Sequence, residues 1–195
     1  MIEYEKKILL SAEEYFALVI MFGERAPVVT QTNYYFDSED LSMNEIGITC
    51  RIRAKNRKFT TSIKNHNIGR LNGSIEEIIC EKKHFSYKIF EIMGLILQGE
   101  LNTKRIILYK DDFCEIDLDR NTYLGVTDFE LEAEYLEGYE TKALVQLNKI
   151  AEALVDSSII TGKKEFLTRA SKVKSKSQRF FELKEKLNHK PFYYT

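Results

Sequence analysis

The chain has 195 residues, 44% hydrophobic and 30% charged, which is ordinary for a globular protein with enough apolar material to bury a core. Its 29 basic and 30 acidic residues leave a formal net charge of −1, which excludes a global pull toward nucleic acid or a membrane surface and confines any anion site to a local cluster. The longest apolar runs, such as 16–22, are too short to span a bilayer.

In chain order, residues 2–9 read as a strand. Ser11 with Glu14 three residues on is a capping box, and it opens a helix from Ala12 to Phe22 that stops at Gly23. Val28–Phe36 is rich in β-branched and aromatic residues and reads as a strand. Ile48–Ala54 and Lys58–Lys64 form a hairpin, and Ile75–Cys80 is a further strand. Tyr87–Leu97 has apolar residues at helical spacing and is expected to end near Gly99. Thr103–Lys110 and Phe113–Leu118 pair across Asp111-Asp112, and Thr127–Tyr135 is the last strong strand. Thr141–Leu154 is an amphipathic helix, and 171–195 is a charged, helical C-terminal tail of what reads as one domain over 1–195. The expected class is α+β, with about eight antiparallel strands.

Four strands carry charges at a period of two, so each row points to one face. The rows are Glu3, Glu5 and Lys7; Arg51, Arg53 and Lys55; Glu115, Asp117 and Asp119; and Glu130, Glu132 and Glu134. A solvated sheet face usually mixes signs, because like charges side by side repel. Here two rows are wholly acidic and one is wholly basic. Such segregation suits a polyanion held by bases on one side and by carboxylate-bound cations on the other. Inward-facing charged rows are intolerable in a dry core but tolerable in a closed barrel with a wet lumen and helices outside. Cys50, Cys80 and Cys114 have no disulfide or zinc spacing; Cys50 and Cys114 each sit one residue before a charged row, hence on the opposite face, and read as buried free thiols. With no basic-then-apolar leader at the N-terminus, they indicate a reducing cytoplasm.

The ordered segments Glu3-x-Glu5-x-Lys7, Thr30 to Asp37, Arg51-Ile52-Arg53, Ser62-Ile63-Lys64, Thr103-Lys104-Arg105, Leu118-Asp119, Asp128 to Glu132 and Ser175-Lys176-Ser177-Gln178-Arg179-Phe180 resemble the CYTH superfamily, the triphosphate tunnel metalloenzymes. The resemblance is greatest to small bacterial members of adenylate-cyclase-like type. It implies a closed eight-stranded antiparallel barrel whose tunnel takes a linear triphosphate, and dependence on Mg²⁺ or Mn²⁺.

On that reading Glu3, Glu5, Asp119, Glu130 and Glu132 are the metal candidates, since hard divalent cations take oxygen ligands. Glu134 completes its row but ranks lower. Glu3, Glu5 and Lys7 are the catalytic candidates. Arg51, Arg53, Lys64, Arg105, Lys176 and Arg179 are the phosphate-binding candidates, with Lys55 either in the tunnel or in the hairpin turn and Lys174 a further option. One of Glu76 and Glu77 faces inward. The expected function is a metal-dependent triphosphatase acting on inorganic triphosphate or an organic triphosphate. The alternatives are a class IV-type adenylyl cyclase and a non-catalytic triphosphate- or polyphosphate-binding module. The expected partner is the small-molecule triphosphate, with no membrane and no nucleic acid; a homodimer is compatible with the sequence. Metal identity, natural substrate and the choice between hydrolysis and cyclisation are not encoded in any motif.

Overall fold

The computed structural model describes residues 4–68 and 73–188. Among these, the elements run β1 (Tyr4–Leu10), α1 (Ala12–Phe22), β2 (Val28–Asp37), α2 (Ser42–Glu45), β3 (Ile48–Lys55), β4 (Lys58–Ile68), β5 (Gly73–Lys82), α3 (Lys88–Ile92), β6 (Ile96–Lys110), β7 (Cys114–Tyr123), β8 (Val126–Tyr135), α4 (Glu140–Asp156), α5 (Lys163–Thr168) and α6 (Lys176–Asn188). The eight strands form one sheet in the order β1-β8-β7-β6-β2-β3-β4-β5, and every neighbouring pair is antiparallel.

The expected closed barrel is corrected at the seam. Cα atoms of β1 and β5 come within 8 Å, but no ladder joins them among the described residues, so the sheet curls without closing. Inward alternation requires curvature only, whereas closure also requires backbone pairing along the last edge. The β4–β5 ladder slips in register between Thr61 and Ser62 and again between Asn65 and Ile68. Such bulges bend an edge strand away from the path that would meet β1.

Apolar residues alternate with the charged rows and face outward. Ile8, Leu118 and Leu131 pack against Leu18 of α1 and Leu147 and Leu154 of α4. Phe36, Cys50 and Ile52 pack with Phe90 and Leu95 around α3. Burial pushes the Cys50 thiol up to about 12 and the Cys114 thiol to about 11, so both are inert. Cys80 is half-buried.

The α1 cap is as the sequence predicts: Ser11 Oγ accepts from the Glu14 N–H at 3.1 Å, and Glu14 Oε2 accepts from the Ser11 N–H at 2.7 Å. The helix expected over 87–97 is shorter, covering Lys88–Ile92. Gly94, at φ 73°, takes the left-handed conformation that ends it, and Ile96 and Leu97 then pair with Asp37 and Phe36 on β2. Gly99 is therefore not a helix stop. It lies within β6 at φ 148°, and a Cβ there would meet the Phe180 ring at 2.9 Å.

The charged tail is helical over Lys176–Asn188, but it is not a solvated helix. Phe180 and Phe181 are buried against Tyr35, Leu101 and Tyr123 on the inner side of the sheet. Residues 189–195 lie outside the described residues. No helix among the described residues is long and apolar enough to cross a membrane.

Candidate functional site

The inner face of the sheet encloses a cavity of about 370 Å³. Lys7, Arg51, Arg53, Lys64, Arg105 and Lys176 line it together with Glu5, Glu76, Glu132 and Glu134. Glu3 lies outside the described residues, so its expected roles have no geometry. Asp119, Glu130 and Arg179 stand beside the cavity, joined to it through Lys176 and each other.

One wall is basic. Arg51 grips Glu76 with both arms of its guanidinium, at 3.1 Å from Nε and 2.5 Å from Nη2. Ser62 Oγ donates a further short hydrogen bond to Glu76. Burial works to raise the Glu76 pKa, but Arg51, Arg53 and Ser62 overcome it and bring the carboxyl down to about 2. Glu76 is thus the inward residue of its pair, and Glu77 is exposed. Arg53 is different. Its Nε donates to Asn33 Oδ1 at 3.0 Å, and it has no carboxylate partner among the described residues. Burial, reinforced by neighbouring Arg51, lowers its pKa to about 10. Burial likewise lowers the pKa of Lys64, opposed by Glu5. Lys55, at the end of β3, is exposed at the rim.

The other wall was expected to be purely acidic, and the structure interleaves it with cations. Arg105, expected to bind phosphate, is spread over four carboxylates: Asp119 at 2.9 and 2.8 Å, Asp117 at 2.5 Å, Glu132 at 2.5 Å and Glu134 at 3.7 Å. Those partners more than offset the burial that opposes its charge and raise its pKa well above the ordinary value. Arg105 thus sits between the carboxylates of β7 and β8. Buried charges need such partners, and the sign pattern along a strand does not disclose which other strand supplies them. Lys7 donates to Glu5 at 2.6 Å and, more closely, to Glu132. Burial works to raise the pKa of Glu132, but Lys176, Lys7 and Arg105 hold it well below the ordinary value. Asp117 has the opposite fate: burial pushes its carboxyl up to about 8 against the pull of Arg105.

The cations of α6 complete this wall. Ser175 starts the helix with a second capping box, accepting from the Gln178 N–H at 3.2 Å and donating its own N–H to Gln178 Oε1 at 2.8 Å. Lys176 and Arg179, three residues apart, then share one face. Lys176 Nζ lies 3.0 Å from Asp119 and 2.8 Å from Glu132, and closer still to Glu130. Arg179 pairs with Asp128 at 3.0 Å and Glu130 at 2.5 Å. Lys174 points elsewhere, to Glu182 on α6 itself.

Two triads have oxygen atoms within 4.8 Å of one another: Glu5, Glu132 and Glu134, and Asp119, Glu130 and Glu132. Hard carboxylate oxygens at this spacing fit a divalent cation. Each triad already holds a cation: Lys7 bridges Glu5 and Glu132 in the first, and Lys176 meets all three carboxylates of the second; the first, where Arg105 lies 3.7 Å from Glu134, is the looser and brings in Glu134, ranked lower from sequence. His66 fits no ligand spacing in the sequence, yet it lines the cavity. Its Nε2 lies 3.0 Å from Oγ1 of the buried Thr49, and burial, followed by Lys64, lowers its pKa to about 4. Its place on the inward parity of β4, two residues after Lys64, was the available signal.

The CYTH domain family model matches residues 1–159, which takes in all eight strands and α4. No curated protein is detectably similar in sequence. Among solved structures, the chain resembles an adenylate cyclase-like protein of Bacillus halodurans, 26% identical, over 92% of this chain and 97% of that one with a TM-score of 0.64. HpAC1 of Hippeastrum, an adenylyl cyclase-like protein with a dominant triphosphatase activity, matches over 93% of this chain and 95% of that one, at 16% identity and a TM-score of 0.60. The Mimivirus capping enzyme triphosphatase matches over 78% and 90%, at 10% identity and a TM-score of 0.53. These last two likenesses are of fold. With the family match spanning the sheet that carries the charged cavity, the chain belongs to the CYTH domain family.

Proposed function

We propose that the protein is a divalent-metal-dependent hydrolase of triphosphates, with inorganic triphosphate as its principal substrate. The observation that carries this reading is Arg53, a half-buried guanidinium that lines the cavity with only Asn33 to receive it among the described residues. A cation partly withdrawn from water, whose neighbouring carboxylate Glu76 is already gripped by Arg51, is poised for an anion that arrives from solution. Arg51 and Lys64 flank it, so the basic wall presents several cations to one linear polyanion. Phosphoryl transfer is mostly positioning and charge neutralisation, which is the chemistry that such a wall supplies.

Across the cavity, Glu5, Glu132 and Glu134 are the residues proposed to hold Mg²⁺ or Mn²⁺. A bound ion would supply charge neutralisation at the phosphoryl oxygens. Lys7 bridges Glu5 and Glu132 and keeps both carboxylates aimed inward. Lys176 and Arg105 are proposed to tie the acidic wall together rather than to grip the first phosphate.

Cyclisation of ATP is the second reading, favoured by the likeness to the Bacillus halodurans protein. It needs a seat for adenine. Among the described residues, Tyr35 is the one tyrosine or phenylalanine of the cavity lining, and it is buried against Phe180 and Phe181. That favours a substrate without a base. The test is a panel of tripolyphosphate, ATP, GTP and thiamine triphosphate with Mg²⁺ or Mn²⁺, products separated by chromatography. Phosphate release from tripolyphosphate, lost on chelation, is expected. Cyclic AMP and pyrophosphate from ATP would establish the cyclase instead, and tight binding without turnover would leave a binding module.

A further inference from the structure

A second concavity, of about 480 Å³, lies on the outer side of β3, β2, β6 and β7. Its charged lining is entirely basic among the described residues: Lys55, Arg57, Lys104 and Arg120. Gln31 and Lys55 line both this groove and the inner cavity, so the two spaces meet where the β3–β4 hairpin ends beside β2.

Three features set these cations apart. All four are exposed, and among the described residues none is in an ion pair. Other exposed cations, such as Lys82, Lys83 and Lys149, are likewise outside ion pairs among the described residues, so it is the gathering of four in one groove that distinguishes these. Lys104 and Arg120 are directly opposite each other in the β6–β7 ladder, where like charges are destabilising. Arg57 occupies a turn position at φ 61°, a left-handed conformation that glycine adopts without penalty and a bulky side chain does not. Repulsion across the ladder and strain in the turn both oppose folding, and an external anion at this groove would relieve the repulsion.

We propose that the groove binds the continuing part of a linear inorganic polyphosphate whose end lies in the cavity, with Lys55 at the junction. The proposal rests on the triphosphate reading of the cavity for the end of the chain. The lining selects this anion over a nucleic acid. Among the described residues it contains no aromatic side chain on which a base could stack, while Thr30 and Thr122 offer hydroxyl donors to phosphoryl oxygens.

The test is calorimetric titration of the whole chain with tripolyphosphate and with long-chain polyphosphate, at equal concentrations of chain ends and in the presence of Mg²⁺. Long-chain polyphosphate is expected to bind about tenfold more tightly, two added charge contacts being enough for that gain, and with a steeper dependence on salt. The double variant Lys104→Ala/Arg120→Ala should erase the preference and keep the affinity for tripolyphosphate. Its melting temperature should not fall, since the variant removes a like-charge pair; a cooperative melt also shows that it is folded. A preference that survives in the double variant, or is missing from the unaltered protein, overturns the groove and leaves the cavity reading intact. Failure of tripolyphosphate to bind at all overturns the cavity reading and the junction with it. A single-stranded RNA that binds as tightly as polyphosphate, and is lost in the same variant, overturns the assignment to polyphosphate.

Discussion

Replacing Lys176 by Met tests whether the acidic wall depends on a cation delivered by α6. The substitution keeps most of the side-chain volume and removes the charge that meets Asp119, Glu130 and Glu132. Breaking a buried ion pair by deleting one partner costs about 3–5 kcal/mol. The lower end applies here, because each carboxylate retains at least one cation: Arg105 at Asp119, Arg179 at Glu130, and Lys7 with Arg105 at Glu132. The helix itself should stay docked, since burial of Phe180 and Phe181 contributes roughly 3–6 kcal/mol independently of the lysine. A loss of about 3 kcal/mol in a chain of this length lowers the melting temperature by about 6–12 °C. The deficit should narrow as pH falls through the carboxylate range, where protonation removes the excess negative charge. Mn²⁺ should restore more stability to the variant than to the unaltered protein, because a divalent cation can take the vacated place. Thermal melts with and without Mn²⁺ read all three effects. A variant as stable as the unaltered protein at neutral pH, with no added response to Mn²⁺, would refute the reasoning.

Arg53→Met removes a half-buried charge that has no carboxylate partner among the described residues, so the ligand-free protein should melt no lower than the unaltered one. The same change should weaken tripolyphosphate binding about ten- to hundredfold, the loss of a hydrogen bond to a charged group, and calorimetry with unchanged affinity would remove Arg53 from the phosphate wall. Glu134→Gln should abolish most of the Mn²⁺-dependent rise in melting temperature, whereas Glu130→Gln should leave most of it, because Lys176 and Arg179 already occupy Glu130. Equal losses would show that the two triads are not distinguished. His66 stays neutral in the fold down to about pH 4, while the unfolded chain takes up the proton near its ordinary value of 6.5. It therefore contributes stability above pH 6.5 that is lost as pH falls from 6.5 to about 4. Denaturant melts of His66→Gln across that window should show a flatter dependence on pH than the unaltered protein, and an identical slope would mean that the imidazole does not stay neutral.

The sequence by itself determined the features that period and local chemistry dictate. Ser11 with Glu14 announces α1, and the alternation of Glu130, Glu132 and Glu134 with Leu131 and Ala133 fixes which face of β8 is wet. A strand has only two faces, so a period of two settles inward from outward without knowledge of the partner strand. The basic character of Arg51, Arg53 and Lys64, and their place on one wall, were legible for the same reason. Tertiary structure decided everything that depends on which strand lies next to which. Arg105 reads as a phosphate ligand in the chain, and only the β6–β7–β8 order shows that Asp117, Asp119, Glu132 and Glu134 surround it. Glu76 and Glu77 are indistinguishable as neighbours until register sets Glu76 opposite Lys64, within reach of Arg51. The last residues of the helix expected over 87–97 belong instead to a β-strand, because Ile96 and Leu97 gained ladder partners on β2 that local periodicity does not see. The open seam between β1 and β5, and Lys176 within the acidic triad, are likewise products of long-range pairing and packing. An electrostatic partner is chosen by distance in space, and a single sequence records distance only along the chain.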